Sequence, residues 1–159
     1  MNISKDWSEL LSMLDKRQVQ YVVVGGVAYN QYATPRTTKD LDIFISRTPS
    51  NSKKVHAVIS EFFGTSLGLK AEDFQKSGQI IQFGRPPQRV DFITQISGIS
   101  FKKAYENSYS VRLGQLRSRV LSIEDLIRNK ERVGRERDLQ DVRELSRIIQ
   151  KSKSNVLER

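Results

Sequence analysis

The 159 residues include no cysteine, which excludes disulfide scaffolds, thiolate zinc sites and cysteine nucleophiles together. Histidine occurs once, as His56, off the apolar stripe of the helix that carries it, and it is given no role. With 9 Gly and 4 Pro, collagenous and low-complexity classes drop out, as does extensive disorder. Nowhere does an uncharged apolar run approach the roughly 20 residues of a membrane span, and the opening MNISKDWSEL puts charges where a signal peptide needs its apolar region. The expectation is a cytoplasmic protein with no membrane partner.

What is present is a moderately apolar chain (37% hydrophobic, 28% charged) of one-domain length. Its 27 Lys and Arg against 18 Asp and Glu give +9, an excess that favours polyanionic partners such as nucleic acid or nucleotide phosphates. The bias leans C-terminal: residues 102–159 hold 15 basic and 9 acidic side chains, residues 1–101 hold 12 and 9. A highly charged, solvated helical surface would produce the same count, so charge alone does not choose.

Trp7, Leu10, Leu11 and Leu14 recur at helical spacing, predicting an amphipathic helix over 5–17. Tyr21 to Val24 is a short β-branched run stopped by Gly25-Gly26 and reads as a buried strand. A short helix over 27–32 follows, closed by Thr34-Pro35, and Leu41 to Ile45 alternates as a second strand. Val55, Val58, Ile59 and Phe62 mark a helix over 51–63. Two strands, 79–83 and 89–94, flank the loop 84–88 as a hairpin. Residues 101–121 hold a short helix and one extended piece, 109–113. Ser122 then caps a helix ending near Gly134, and a last helix carries Leu139, Val142, Leu145, Ile148 and Ile149. The expected organisation is one domain over 1–150, with a core of about 5–121, C-terminal helices of about 122–150, and a flexible tail over 151–159.

The chemistry starts from the second strand. Leu41, Ile43 and Ile45 point one way, so Asp40 and Asp42 share the other face, and Asp91 sits in the middle of a later strand. Burying ionised carboxylates without partners costs roughly several kcal/mol per ion, so a same-face pair on a core strand calls for cations or strong donors. A hard divalent cation such as Mg²⁺, bound through one or two carboxylates together with substrate phosphates, satisfies that need. A Gly-Gly turn opening a helix lets backbone N–H groups approach a phosphate. Phosphoryl or nucleotidyl transfer is the reaction type these parts serve.

The ordered stretch VVVGGVAYNQYATPRTTKDLDIFI resembles the signature of the DNA polymerase beta-like nucleotidyltransferase superfamily: hydrophobic-Gly-(Gly/Ser), a spacer, then Asp-hydrophobic-Asp-hydrophobic. The resemblance implies an α/β (α+β) nucleotidyltransferase fold, a mixed sheet flanked by helices with a C-terminal helical hairpin. It also implies Mg²⁺, with Mn²⁺ as substitute, held by Asp40 and Asp42, and a third carboxylate on a neighbouring strand, a place that Asp91 fits. Gly25 and Gly26 would approach the nucleotide, with Gly26 standing where many relatives have Ser. Arg36 or Lys39 in the spacer could reach phosphate, and Thr38 could brace the metal strand.

Lys130 continues the buried stripe of Ile123, Leu126 and Ile127, while Asp138 and Asp141 extend the stripe of Leu145 and Ile149, so a helical hairpin could bring the acids to the lysine. A structural ion pair is the plain reading. The segment SIEDLIRNKERVGRERDLQDVREL also resembles the C-terminal part of AbiE-type toxin nucleotidyltransferases, which implies a phosphate-holding role for Lys130 and a supporting one for Asp138 and Asp141. The functional expectation is a metal-dependent enzyme moving an NMP from an NTP, ATP by default, to a hydroxyl and releasing pyrophosphate. RNA or tRNA is favoured as acceptor over protein or a small molecule, and a toxin-antitoxin setting with a protein regulator fits the resemblance. The alternative is a catalytically inactive relative that binds nucleic acid or a protein partner.

Overall fold

A computed structural model describes residues 3–157. Helix α1 (Lys5–Lys16) is capped by the Ser4 hydroxyl, which accepts from the Trp7 N–H, and buries the stripe Trp7, Leu10, Leu11 and Leu14. It leads into β1 (Tyr21–Val24), buried along its whole length, and directly into the short helix α2 (Gly25–Tyr29). The helix therefore starts at the glycines, two residues before the start expected from the apolar pattern. Beyond it come β2 (Asp40–Ile45), α3 (Pro49–Phe63), a 3-10 turn over 71–74, and the hairpin β3 (Ile80–Phe83) and β4 (Arg89–Ile93).

Helix α4 (Phe101–Asn107) is followed by two strands rather than one extended piece, β5 (Tyr109–Leu113) and β6 (Leu116–Val120). Only Leu116, Ser118 and Val120 of β6 turn inward or partly inward, and Arg117 and Arg119 interrupt them, so an apolar-run criterion passes over the strand. Helix α5 (Ile123–Val133) runs from the Ser122 cap to Gly134, which is left-handed at φ 70°. Helix α6 (Glu136–Leu157) continues through 151–157, the stretch read from sequence as a tail. Its residues there are all exposed, so they carry no burial pattern for a sequence reading to detect.

The strands form one mixed sheet in the order β3-β4-β2-β1-β6-β5. β2 is antiparallel to β1 and parallel to β4, and β6 is parallel to β1. Register fixes two faces. On one, Ile43 pairs with Phe92, which meets Phe74 edge-on; the 3-10 turn carrying Phe74 packs on α3, and α3 on α1. On the other lie Asp42 and Phe44, and Phe101 of α4 meets Phe44 at 5.2 Å between ring centroids. Helix α5 packs against both α2 and α6, making the C-terminal hairpin a wall beside the end of β1. The fold is thus the mixed α/β architecture expected from the sequence. No helix among the described residues is long and apolar enough to cross a membrane.

Candidate active site

Two strand neighbours bring the three carboxylates together. Asp42 on β2 stands opposite Asp91 on the parallel β4, and Asp40 lies two residues back on the same face. One oxygen from each of Asp40, Asp42 and Asp91 lies within 4.8 Å of the others. On the other flank, Asp42 pairs with Val24, the last residue of β1, so the chain turns into α2 directly against the carboxylate. Gly25 makes that turn at φ 66°, and a Cβ there would collide with the Asp42 carboxylate. At Gly26 a Cβ would come within 2.8 Å of the Thr38 methyl. Gly25 is therefore demanded by the approach of strand to turn, and a side chain at Gly26 would require Thr38 to shift.

One cation answers three acids. Arg89 donates from Nη2 to Asp40 at 3.0 Å and from Nε to Asp91 at 3.1 Å, with a further Nη2 contact to Asp91 at 3.4 Å. Gln82 on β3 donates to Asp91 at 3.3 Å. Asp42 has neither, and burial, with the charges of Asp40 and Asp91 adding to it, pushes its carboxyl up to about 7. The sequence reading did not name Arg89, although alternation along RVD already places it on the face of Asp91. Three hard oxygen donors with one guanidinium leave an excess of negative charge that a divalent cation would balance, so the donor set fits such an ion.

The second group assembles where the spacer meets the C-terminal hairpin. Lys130 Nζ lies 2.7 Å from Asp141 and 3.9 Å from Asp138, and all three residues are buried. Arg36 reaches Asp141 through both terminal nitrogens at 2.9 Å, with its guanidinium 3.9 Å from the centre of the Tyr29 ring. Arg135 holds Asp138 at 2.7 Å. Burial raises the Asp141 carboxyl, but hydrogen bonds from Arg36 and Lys130 outweigh it and hold the group below the usual carboxylate value. Of the residues expected to meet nucleotide, Arg36 and Lys130 thus share a carboxylate, and Thr38 lies on Gly26. Lys39 is exposed. The Arg36 to Asp141 bond, spanning 105 positions, carried no sequence signal. His56 is used structurally, its Nε2 2.9 Å from the Leu69 carbonyl oxygen.

A mixed α/β sheet presenting three convergent carboxylates beside a glycine turn defines a protein able to hold a divalent cation at the end of its central strands. Residues 3–159 match the family described as "Nucleotidyl transferase of unknown function (DUF2204)", and the chain belongs to that family. No curated protein matches the chain.

Proposed function

We propose that the protein transfers a nucleoside monophosphate from an NTP, with ATP as the default donor, to a hydroxyl acceptor, and that RNA or tRNA is that acceptor in preference to a protein or small molecule. The observation that carries this reading is the convergence of Asp40, Asp42 and Asp91 against a turn that only glycine can make. In this reading the three carboxylates hold Mg²⁺, or Mn²⁺, which supplies positive charge to the phosphates and to the oxygens that attack and leave. Backbone N–H groups at Gly25 and Gly26 face the triphosphate, and Arg36, Thr38 and Lys130 line the nucleotide side. Asp138 and Asp141 hold the two cations in place.

The acceptor oxygen attacks the α-phosphorus; the new O–P bond forms as the bond to the β-phosphate oxygen breaks, and pyrophosphate leaves. Asp91 orients the acceptor hydroxyl and takes up its proton. Catalysis comes from positioning and from stabilising charge on the transferring group. The C-terminal resemblance to AbiE-type toxins supports a toxin-antitoxin setting with a protein regulator, and the whole of 1–150 acts as one domain.

The test is incubation with Mg²⁺ or Mn²⁺, each α-³²P-labelled NTP, and total tRNA or cell lysate. A labelled RNA band is expected, reduced about a hundredfold or more in a folded Asp42→Asn variant. Full activity in that variant overturns the metal assignment. Absence of metal-dependent NTP binding in the wild type moves the assignment to the inactive binding module.

A further inference from the structure

Strands β5 and β6 carry a charge arrangement that the fold does not explain. Their register sets Ser110 opposite Arg119 and Arg112 opposite Arg117, so the three arginines project from one face of the hairpin. Like charges directly opposite one another across a sheet are destabilising. All three arginines are exposed, and among the described residues none has a carboxylate within ion-pair distance.

Two of the three are nevertheless held in place by neutral groups. Arg117 donates to the Ser110 carbonyl at 2.9 Å, and Arg119 donates to the Ser108 hydroxyl at 3.2 Å while its guanidinium lies 4.5 Å from the centre of the Tyr105 ring. These contacts orient the guanidinium groups without neutralising them. Beside them opens a cavity of about 240 Å³ lined by Arg117, Arg119, Ser110, Ser118, Tyr105 and Asp15 among others. Asp15, the one carboxylate there, accepts the Tyr21 hydroxyl at 2.7 Å. Val120 shares the level and face of Val23, which puts Arg117 and Arg119 on the sheet face of Asp42 and Asp91. From strand spacing and rise, the Cα atoms of Arg119 and Asp42 lie roughly 12 Å apart.

We infer that Arg112, Arg117 and Arg119 form a docking face for the sugar-phosphate backbone of the acceptor RNA. This rests on the reading of the carboxylate site as a nucleotidyltransferase centre with an RNA acceptor. Preformed, unneutralised guanidinium groups projecting from one face of a hairpin match a row of phosphates. Tolerance of a like-charge pair in the strands is what such a partner would account for.

The test uses the full chain and a fluorescein-labelled 20-nucleotide RNA of mixed sequence, followed by anisotropy across a salt series, with a DNA of the same sequence in parallel. The variant R112S/R117S/R119S is expected to weaken RNA binding more than about tenfold at 100 mM salt and to flatten the slope of log K against log salt by about 2. R112K/R117K/R119K keeps the charge and is expected to keep most of the slope. K5S/K16S/K53S removes equal charge from exposed lysines of α1 and α3 and is expected to change little. Equal loss in the serine and lysine-surface variants, or no RNA binding by the wild type, overturns the docking face, as does DNA binding tighter than RNA binding. Metal-dependent ATP binding, measured in the same serine variant, is expected to be unchanged. Its loss in the wild type would instead strike the nucleotidyltransferase reading, so the two failures are separable.

Discussion

Asp42 shows how a single side chain records its surroundings. It shares a face with two acids, receives none of the hydrogen bonds from Arg89 and Gln82 that hold Asp40 and Asp91, and its carboxyl is raised to about 7, with burial the leading cause. An acid whose pKa is higher folded than unfolded holds its proton more tightly in the native state. The metal-free protein therefore loses stability as pH rises from about 4, the unfolded value, to about 7. Asp42→Asn removes that dependence. In EDTA the variant is expected to melt above the wild type at pH 7.5 and to match it near pH 4, as read by circular dichroism. Equal melting temperatures at both pH values would contradict the burial argument. Arg89 is the residue that moderates the effect, because its guanidinium lies against Asp40 and Asp91 and leaves Asp42 the least compensated of the three.

At the scale of elements, the α5–α6 hairpin is joined to the spacer before β2 by charge. Asp141 accepts from Lys130 and from both terminal nitrogens of Arg36, so one carboxylate ties α5, α6 and the loop that delivers Asp40. Removing one partner of a buried ion pair leaves the other charge uncompensated, which costs about 3–5 kcal/mol. Asp141→Ala is expected to lower unfolding free energy by about 3 kcal/mol in urea titrations. Arg36→Ala should cost less, about 1 kcal/mol, because the Arg36 side chain is 42% exposed and Lys130 keeps its partner. Similar losses in both variants would mean that Lys130 is not the charge at stake.

The strands show where periodicity succeeds as a guide and where it falls short. β1 and β2 were legible as an apolar run and an alternating run, and the hairpin of β3 and β4 as two runs around a Gly-Arg-Pro-Pro loop. β6 was not, because three of its five residues are arginine or serine, which separate its two apolar positions, Leu116 and Val120. Arg89 was legible in principle, by its spacing from Asp91. Its bond to Asp40 was not, since that depends on β2 and β4 being adjacent and parallel.

For the whole molecule, a cation that binds the native chain alone stabilises it by mass action. At 100 times its dissociation constant the gain is about 2.7 kcal/mol. Mg²⁺ or Mn²⁺ is accordingly expected to raise the melting temperature of the wild type by several degrees at pH 7.5 and to leave a folded Asp42→Asn variant nearly unmoved, by differential scanning fluorimetry. Equal shifts in both would place the cation elsewhere.

The sequence by itself determined most of the elements, β6 and the last turns of α6 excepted, together with the face on which Asp40 and Asp42 lie and the need for glycine where β1 turns. Those properties follow from backbone periodicity and steric limits, which act over a few residues. Only the tertiary structure decided that Asp91 stands beside Asp42, that Arg89 bridges two of the acids, and that Arg36 and Lys130 share Asp141. Such contacts depend on which strands pair and in what register, and those pairings join residues far apart in the chain.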